Sequence, residues 1–236
     1  LSAVVGFDTA TEDTAVAATR GGEVLYESQL GPAEKGRPLH AMALLGEVEQ
    51  AVAAAGGWEA IGRLAVGVGP GTFTGIRVGI ASAKGLGLGR GLPVAGVCTL
   101  DALGAGIGEA AGGRERLVVT DARRGEIFAA LYAPDGERLW KPLVCAPGEL
   151  AERIAGLERA PLCAGSGAVR FRQQLASRSV EIPDDADPVH RVAARHVCAL
   201  AASGPGEEGS GAVAPIYLRA PDAERWRERG SLEKAE

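Results

Sequence analysis

The chain has 236 residues, of which 35 are glycine, 46% are hydrophobic and only 4% are aromatic. The glycines show no three-residue period, which excludes a collagen-like fibre, and no apolar run approaches the roughly 18 residues a membrane helix requires. The formal charge is −5, and the 30 acids and 25 bases (21 Arg, 4 Lys) are interspersed, so no basic stripe offers itself to nucleic acid.

Residues 3–8 form a short apolar run, and 14–19 and 23–30 alternate on either side of Gly21-Gly22, so three strands are expected first. Pro38 suits the first position of a helix that runs to about Ala55 and stops at Gly56-Gly57. An apolar strand at 64–68, the loop 69–73, a helix at 74–88, a strand at 94–97 and a helix at 100–111 complete the first half. The second half repeats the order. A strand at 117–121 ends in Asp121, and strands at 126–133 and 137–145 pair across Pro134-Asp135-Gly136. Then come a helix at 147–157, a strand at 161–164, a helix at 168–177, a strand at 180–182 and a helix at 188–203.

Both halves thus read β-β-β-α-β-α-β-α. The expectation is an α/β chain built by internal duplication, with Asp8 and Asp121 at equivalent strand ends. The subdomains would cover 1–110 and 111–219, followed by a charged tail at 220–236. This is the order of the actin, sugar-kinase and heat-shock-protein superfamily, whose members bind ATP between two such halves; an ATP-dependent enzyme is therefore the alternative reading.

Cys98, Cys145, Cys163 and Cys198 include no C-x-x-C pair, and three sit in apolar segments, as buried reduced thiols do. Residues 1–8 lack a basic segment and a cleavage site, so a cytoplasmic protein with no membrane contact is expected.

Gly69-Pro70-Gly71-Thr72-Phe73-Thr74-Gly75, between a strand and a helix, is either an anion site at a helix N-terminus or a structural tight turn. It is not a P-loop, because no Lys follows and the nearest cation is Arg77. The G-x-G-x-x-G match at 204–209 follows a helix and carries Glu207 and Glu208, which argues against a pyrophosphate. Glu12 and Asp13 after Asp8 would repel a triphosphate. Arg123 and Arg124 either face a phosphate or pair with Asp121 and Glu126. The three histidines, His40, His190 and His196, have no metal-binding spacing, and no G-x-S-x-G elbow is present. No catalytic, metal or cofactor residue is therefore expected.

Two helices stand out instead. On 38–55, Ala41, Leu45, Val48 and Val52 make one stripe, yet Leu39, Met42, Ala43 and Gly46 leave the other face without charge. On 74–88, Gly75, Gly79, Ala83 and Gly87 recur every fourth residue, a ridge that lets another helix approach closely. Leu39, Met42, Ala43, Gly46, Gly75, Gly79 and Ala83 are the expected partner contacts.

Phe7-Asp8-Thr9-Ala10-Thr11, the segment Gly67–Arg77, Asp121-Ala122-Arg123-Arg124-Gly125-Glu126 and Pro215-Ile216-Tyr217-Leu218-Arg219 together resemble the bacterial TsaB (YeaZ) family. That resemblance implies a role in making threonylcarbamoyladenosine at tRNA position 37, with the catalytic paralogue TsaD as partner, the ATPase TsaE in the assembly, and a homodimer when alone. The catalytic paralogue carries an H-x-x-x-H metal motif; Thr99 and Leu103 stand at the matching positions here, implying a non-catalytic subunit that meets tRNA only indirectly.

Overall fold

The structure is a computed structural model that describes residues 1–33, 38–176, 180–203 and 213–219. The 204–209 glycine motif and the 220–236 tail lie outside the described residues.

Three antiparallel strands, β1 (Ala3–Asp8), β2 (Thr14–Arg20) and β3 (Glu23–Leu30), lead into α1 (His40–Ala54). Then follow β4 (Ile61–Gly67), α2 (Phe73–Arg90), β5 (Val94–Val97) and α3 (Thr99–Ala110). The order repeats with β6 (Arg116–Arg123), β7 (Glu126–Tyr132), β8 (Leu143–Cys145), α4 (Pro147–Ala155) and β9 (Leu162–Ala164). Helices α5 (Ser166–Arg170), α6 (Arg172–Ala176) and α7 (Ala194–Ser203) complete it. The first sheet has the order β3-β2-β1-β4-β5 and the second β8-β7-β6-β9, so among the described residues the second sheet repeats the first four positions of the first, without a strand in the place of β5. The chain has the duplicated α/β fold that the element pattern predicts.

Alternation along the strands sorts side chains between layers. On β1, Ala3, Val5 and Phe7 pack under α1 and α2, beside Leu44, Val48 and Ile76. On β6, Val118 and Ala122 face the middle layer, where α3 and α7 lie between the sheets with Leu100, Leu103 and Val197. Leu117 and Val119 point the other way, to Leu150 and Ile154 of α4. Gly6 is where α7 crosses β1: a Cβ there would lie 2.7 Å from the Cys198 sulfur.

Residues 213–219 return to bind both halves. Val213 is buried in the first core, Ile216 N donates to Val68 O at 2.8 Å, and Arg219 Nη1 pairs with Glu126 Oε2 of β7 at 2.8 Å.

Several expected elements differ. Helix α1 starts at His40 with Leu39 as its N-cap, so Pro38 precedes the helix instead of occupying its first position. The strand expected at 137–145 shrinks to Leu143–Cys145, because Leu139 N and Trp140 N both donate to Leu131 O and break the ladder. The 168–177 helix is two short pieces separated at Phe171, whose φ of −110° leaves the helical range. The 180–182 strand is one bridge, Leu162 to Glu181. The 188–203 helix is a 3₁₀ turn, Pro188–His190, then extended backbone at Arg191 before α7.

Candidate functional site

The loop after β1 meets the loop after β4 at a buried carboxylate. Asp8 is fully buried; its Oδ2 accepts from Thr99 Oγ1 at 2.7 Å and its Oδ1 from Ala10 N at 2.8 Å. Thr99 Oγ1 also accepts from Gly69 N at 3.1 Å. Burial raises the Asp8 carboxyl above the usual carboxylate range against the pull of these hydrogen bonds. Glycine is required opposite it, since a Cβ on Gly67 would stand 1.7 Å from Asp8 Oδ2.

The N-terminus of α2 is engaged internally. Thr72 caps it by accepting from Gly75 N at 3.2 Å, and Thr72 N donates to Ala10 O at 2.7 Å. Thr9 Oγ1 donates to Gly75 O at 2.8 Å. The backbone of residues 9–10 thus lies where an anion would approach the glycine loop, and the geometry favours the structural-turn reading. Arg77 does not reach this point: its guanidinium lies 3.6 Å over the Phe73 ring, and Nε donates to Tyr217 Oη at 3.1 Å.

Beyond the turn, a cleft of about 380 Å³ separates the halves. Its charges are matched in pairs: Arg123 with Glu12 across the cleft, Arg191 with Asp13 at 2.6 Å, and Arg170 with Asp121 at 2.6 Å. Arg123 therefore takes the ion-pair role. Leu103, almost fully buried, forms part of the wall, and the buried Thr120 hydroxyl has no hydrogen-bond partner among the described residues. Among the described residues no three His, Cys, Asp or Glu side chains gather as a metal-holding group.

The two first-half helices lie side by side on the same face of the first sheet. On α1 the inward residues are His40, Leu44, Val48, Ala51 and Val52; Ala41 and Leu45, expected in the buried stripe, are exposed. Met42 is 87% exposed and Leu45 55%; Gly46 faces open space, while Leu39 and Ala43 are half-buried. On α2 the ridge Gly75, Gly79, Ala83, Gly87 is buried against the chain's own strands: a Cβ on Gly75 would meet Thr9 O at 1.9 Å, and one on Gly79 would meet Thr9 Oγ1 at 2.6 Å. That ridge serves internal packing, and Gly75, Gly79 and Ala83 have no surface to offer. A second small-residue row, Ala81, Gly85 and Gly89, faces outward beside Leu88, which is 81% exposed. The same four-residue period runs through both rows, so spacing alone does not tell them apart.

Two other groupings join distant residues without a local signal. Tyr132 Oη donates to Asp101 Oδ1 at 2.6 Å beside the Arg138–Asp101 pair. Phe73 and Tyr217 stack with ring centroids 5.4 Å apart.

A family model described as TsaD, tRNA N6-adenosine threonylcarbamoyltransferase, matches residues 33–180. The Escherichia coli K12 protein named tRNA threonylcarbamoyladenosine biosynthesis protein TsaB is 35% identical over 169 residues, covering 70% of this chain and 71% of that protein. An uncharacterized Mycobacterium tuberculosis H37Rv protein is 40% identical over 158 residues, or 67% of this chain; the match spans 64% of that relative's length. Among solved structures, YeaZ from Pseudomonas aeruginosa superposes with a TM-score of 0.75 at 27% identity, over 92% of this chain and all of that one.

Proposed function

Since the chain belongs to the TsaB (YeaZ) family, we propose that it is a non-catalytic subunit of the machinery that makes threonylcarbamoyladenosine in tRNA. Its partner is the catalytic transferase TsaD, docked on the outer face of α1 and α2. The observation that carries this reading is the apolar surface of that helix pair, with Met42, Leu45 and Leu88 exposed around Gly46, Gly85 and Gly89. Fully burying a Met or Leu side chain is worth roughly 1.5–3 kcal/mol, and the exposed glycines let a partner helix come close.

The role is to hold TsaD in a competent conformation while the transfer takes place on TsaD. Support comes from Thr99 and Leu103: the first ties down Asp8 and the second fills core, and Leu has no donor atom for a metal. The same helix faces would pair two copies of this chain when TsaD is absent, and TsaE would join the TsaD-bound form. An ATP-dependent activity is not favoured, because Ala10 O accepts from Thr72 N at the α2 N-terminus and the cleft arginines Arg123, Arg170 and Arg191 are already paired with carboxylates.

The test is a pull-down of TsaD with the tagged chain, followed by reconstituted tRNA modification. Met42→Glu and Leu88→Glu should lose association and modification while melting like the unsubstituted protein. Full modification by TsaD, TsaE and the adenylate-forming enzyme without this chain would overturn the proposal.

A further inference from the structure

A second groove, of about 450 Å³, runs beside the N-terminus of α2 and falls in the ~300–1,000 Å³ range of small-ligand sites. Its lining includes Phe73, Tyr217, Arg123, Arg124 and Arg219, with Asp121 as the one acid among the described lining residues. The chain has only four Phe and three Tyr, yet Phe73 and Tyr217 are stacked here with 39% of each left exposed. Arg77 caps the pair from over the Phe73 ring.

We propose that this groove binds single-stranded RNA, a base stacking against the open surface of Tyr217 while Arg124 and Arg219 meet the phosphates. Aromatic faces in a groove lined by positive charge are how sequence-tolerant single-strand sites are built, and arginine both stacks and bonds phosphate in two places at once. The existing ion pairs leave room for this. A guanidinium has five N–H donors, and Glu126 accepts at 2.8 Å from one nitrogen of Arg219. The acidic net charge does not oppose it, because screening limits the reach of distant charges to about 8–10 Å at physiological salt. The choice of RNA rests on the function proposed above, and it adds to that function a direct contact between this subunit and the nucleic acid.

The experiment is fluorescence anisotropy of the full chain with a short labelled single-stranded RNA, with the same sequence as a duplex for comparison. The single strand should bind more tightly than the duplex. Tyr217→Ala should weaken it about tenfold, while Tyr217→Phe should keep it. Arg219→Ala should weaken it and lower the slope against log salt by about one. Thr74→Glu puts a negative charge in the groove at a position that suits a helix N-terminus, so it should block RNA without unfolding the protein even if Tyr217→Ala does. Equal binding by Thr74→Glu and the unsubstituted chain, or no binding by the isolated chain, overturns the proposal. Loss of the TsaD pull-down by the unsubstituted chain would instead count against the function above, since the groove variants leave the outer face of α1 and α2 untouched.

Discussion

One hydroxyl joins two loops: Thr99 Oγ1 donates to Asp8 Oδ2 at 2.7 Å and accepts from Gly69 N at 3.1 Å, tying the end of β1 to the turn after β4. Asp8 is therefore a buried acid supported by neutral donors, with Asp13 rather than a cation among the charges that act on it.

Burial raises the folded pKa of Asp8, so the fold favours its protonated form. Its contribution to stability is complete below the ordinary value of 3.8 and is lost as pH rises through the elevated folded value. Asp8→Asn, which keeps the shape without the charge, should remove this loss, and urea unfolding at several pH values reads it. Thr99→Val breaks the bonds to Asp8 Oδ2 and Gly69 N together, and should cost about 2 kcal/mol while raising the Asp8 pKa further. An unchanged pH slope in Asp8→Asn would show that the carboxylate is not the group responsible.

The two glycine rows of α2 make opposite predictions. Gly75→Ala drives a Cβ into the Thr9 carbonyl and should destabilise by about 3 kcal/mol or more. Gly85→Ala meets none of the described residues within 4 Å and should stabilise the helix by about 0.5–1 kcal/mol. Thermal melts of the two variants check the assignment of inner and outer rows.

His40 and His196 have the reverse sign from Asp8. Burial is the largest influence on each and lowers its pKa, so each adds stability above the ordinary value of 6.5 that is lost as pH falls through the depressed folded value. His40 also bonds Thr14 Oγ1 at 2.9 Å and Thr11 O at 3.2 Å. His196→Gln has fewer bonds to break and should flatten the acid limb of the stability curve; a limb as steep as before would assign it to other groups.

The thiols rank by burial. Cys163 and Cys198 are pushed up to about 12 and Cys98 to about 11, whereas Cys145 is only half-buried. A thiol reagent at neutral pH should label Cys145 first and the others only on unfolding, as peptide mass mapping would show. Equal labelling of Cys163 in the native state would contradict the packing of β9.

Much of this fold can be read in the sequence because it is alternation that sorts the strands: Ala3, Val5 and Phe7 go to one layer, Val118 and Ala122 to another. Asp8 ends β1 as that pattern predicts, but Asp121 does not end its strand: β6 runs on to Arg123, which pairs with Glu126 beyond an irregularity in the ladder. Helix faces are harder to read. Leu44 and Leu45 are adjacent and equally apolar, and only tertiary packing buries the first and exposes the second. The strand expected at 137–145 is cut short because one carbonyl, Leu131 O, takes two donors, which no propensity records. The aromatic groove is beyond local reading altogether: Arg77 and Tyr217 meet across 140 positions of chain.

Residues 213–219 have a mechanical consequence. They anchor Val213 and Ile216 in the first half and Arg219 on β7 of the second, while Glu12 and Arg123 clasp each other across the cleft. Held by both a strap and a clasp, the halves form a lever more than a hinge. A load placed on the outer face of α1 and α2 would thereby be passed to β6, β7 and the grooves beside them.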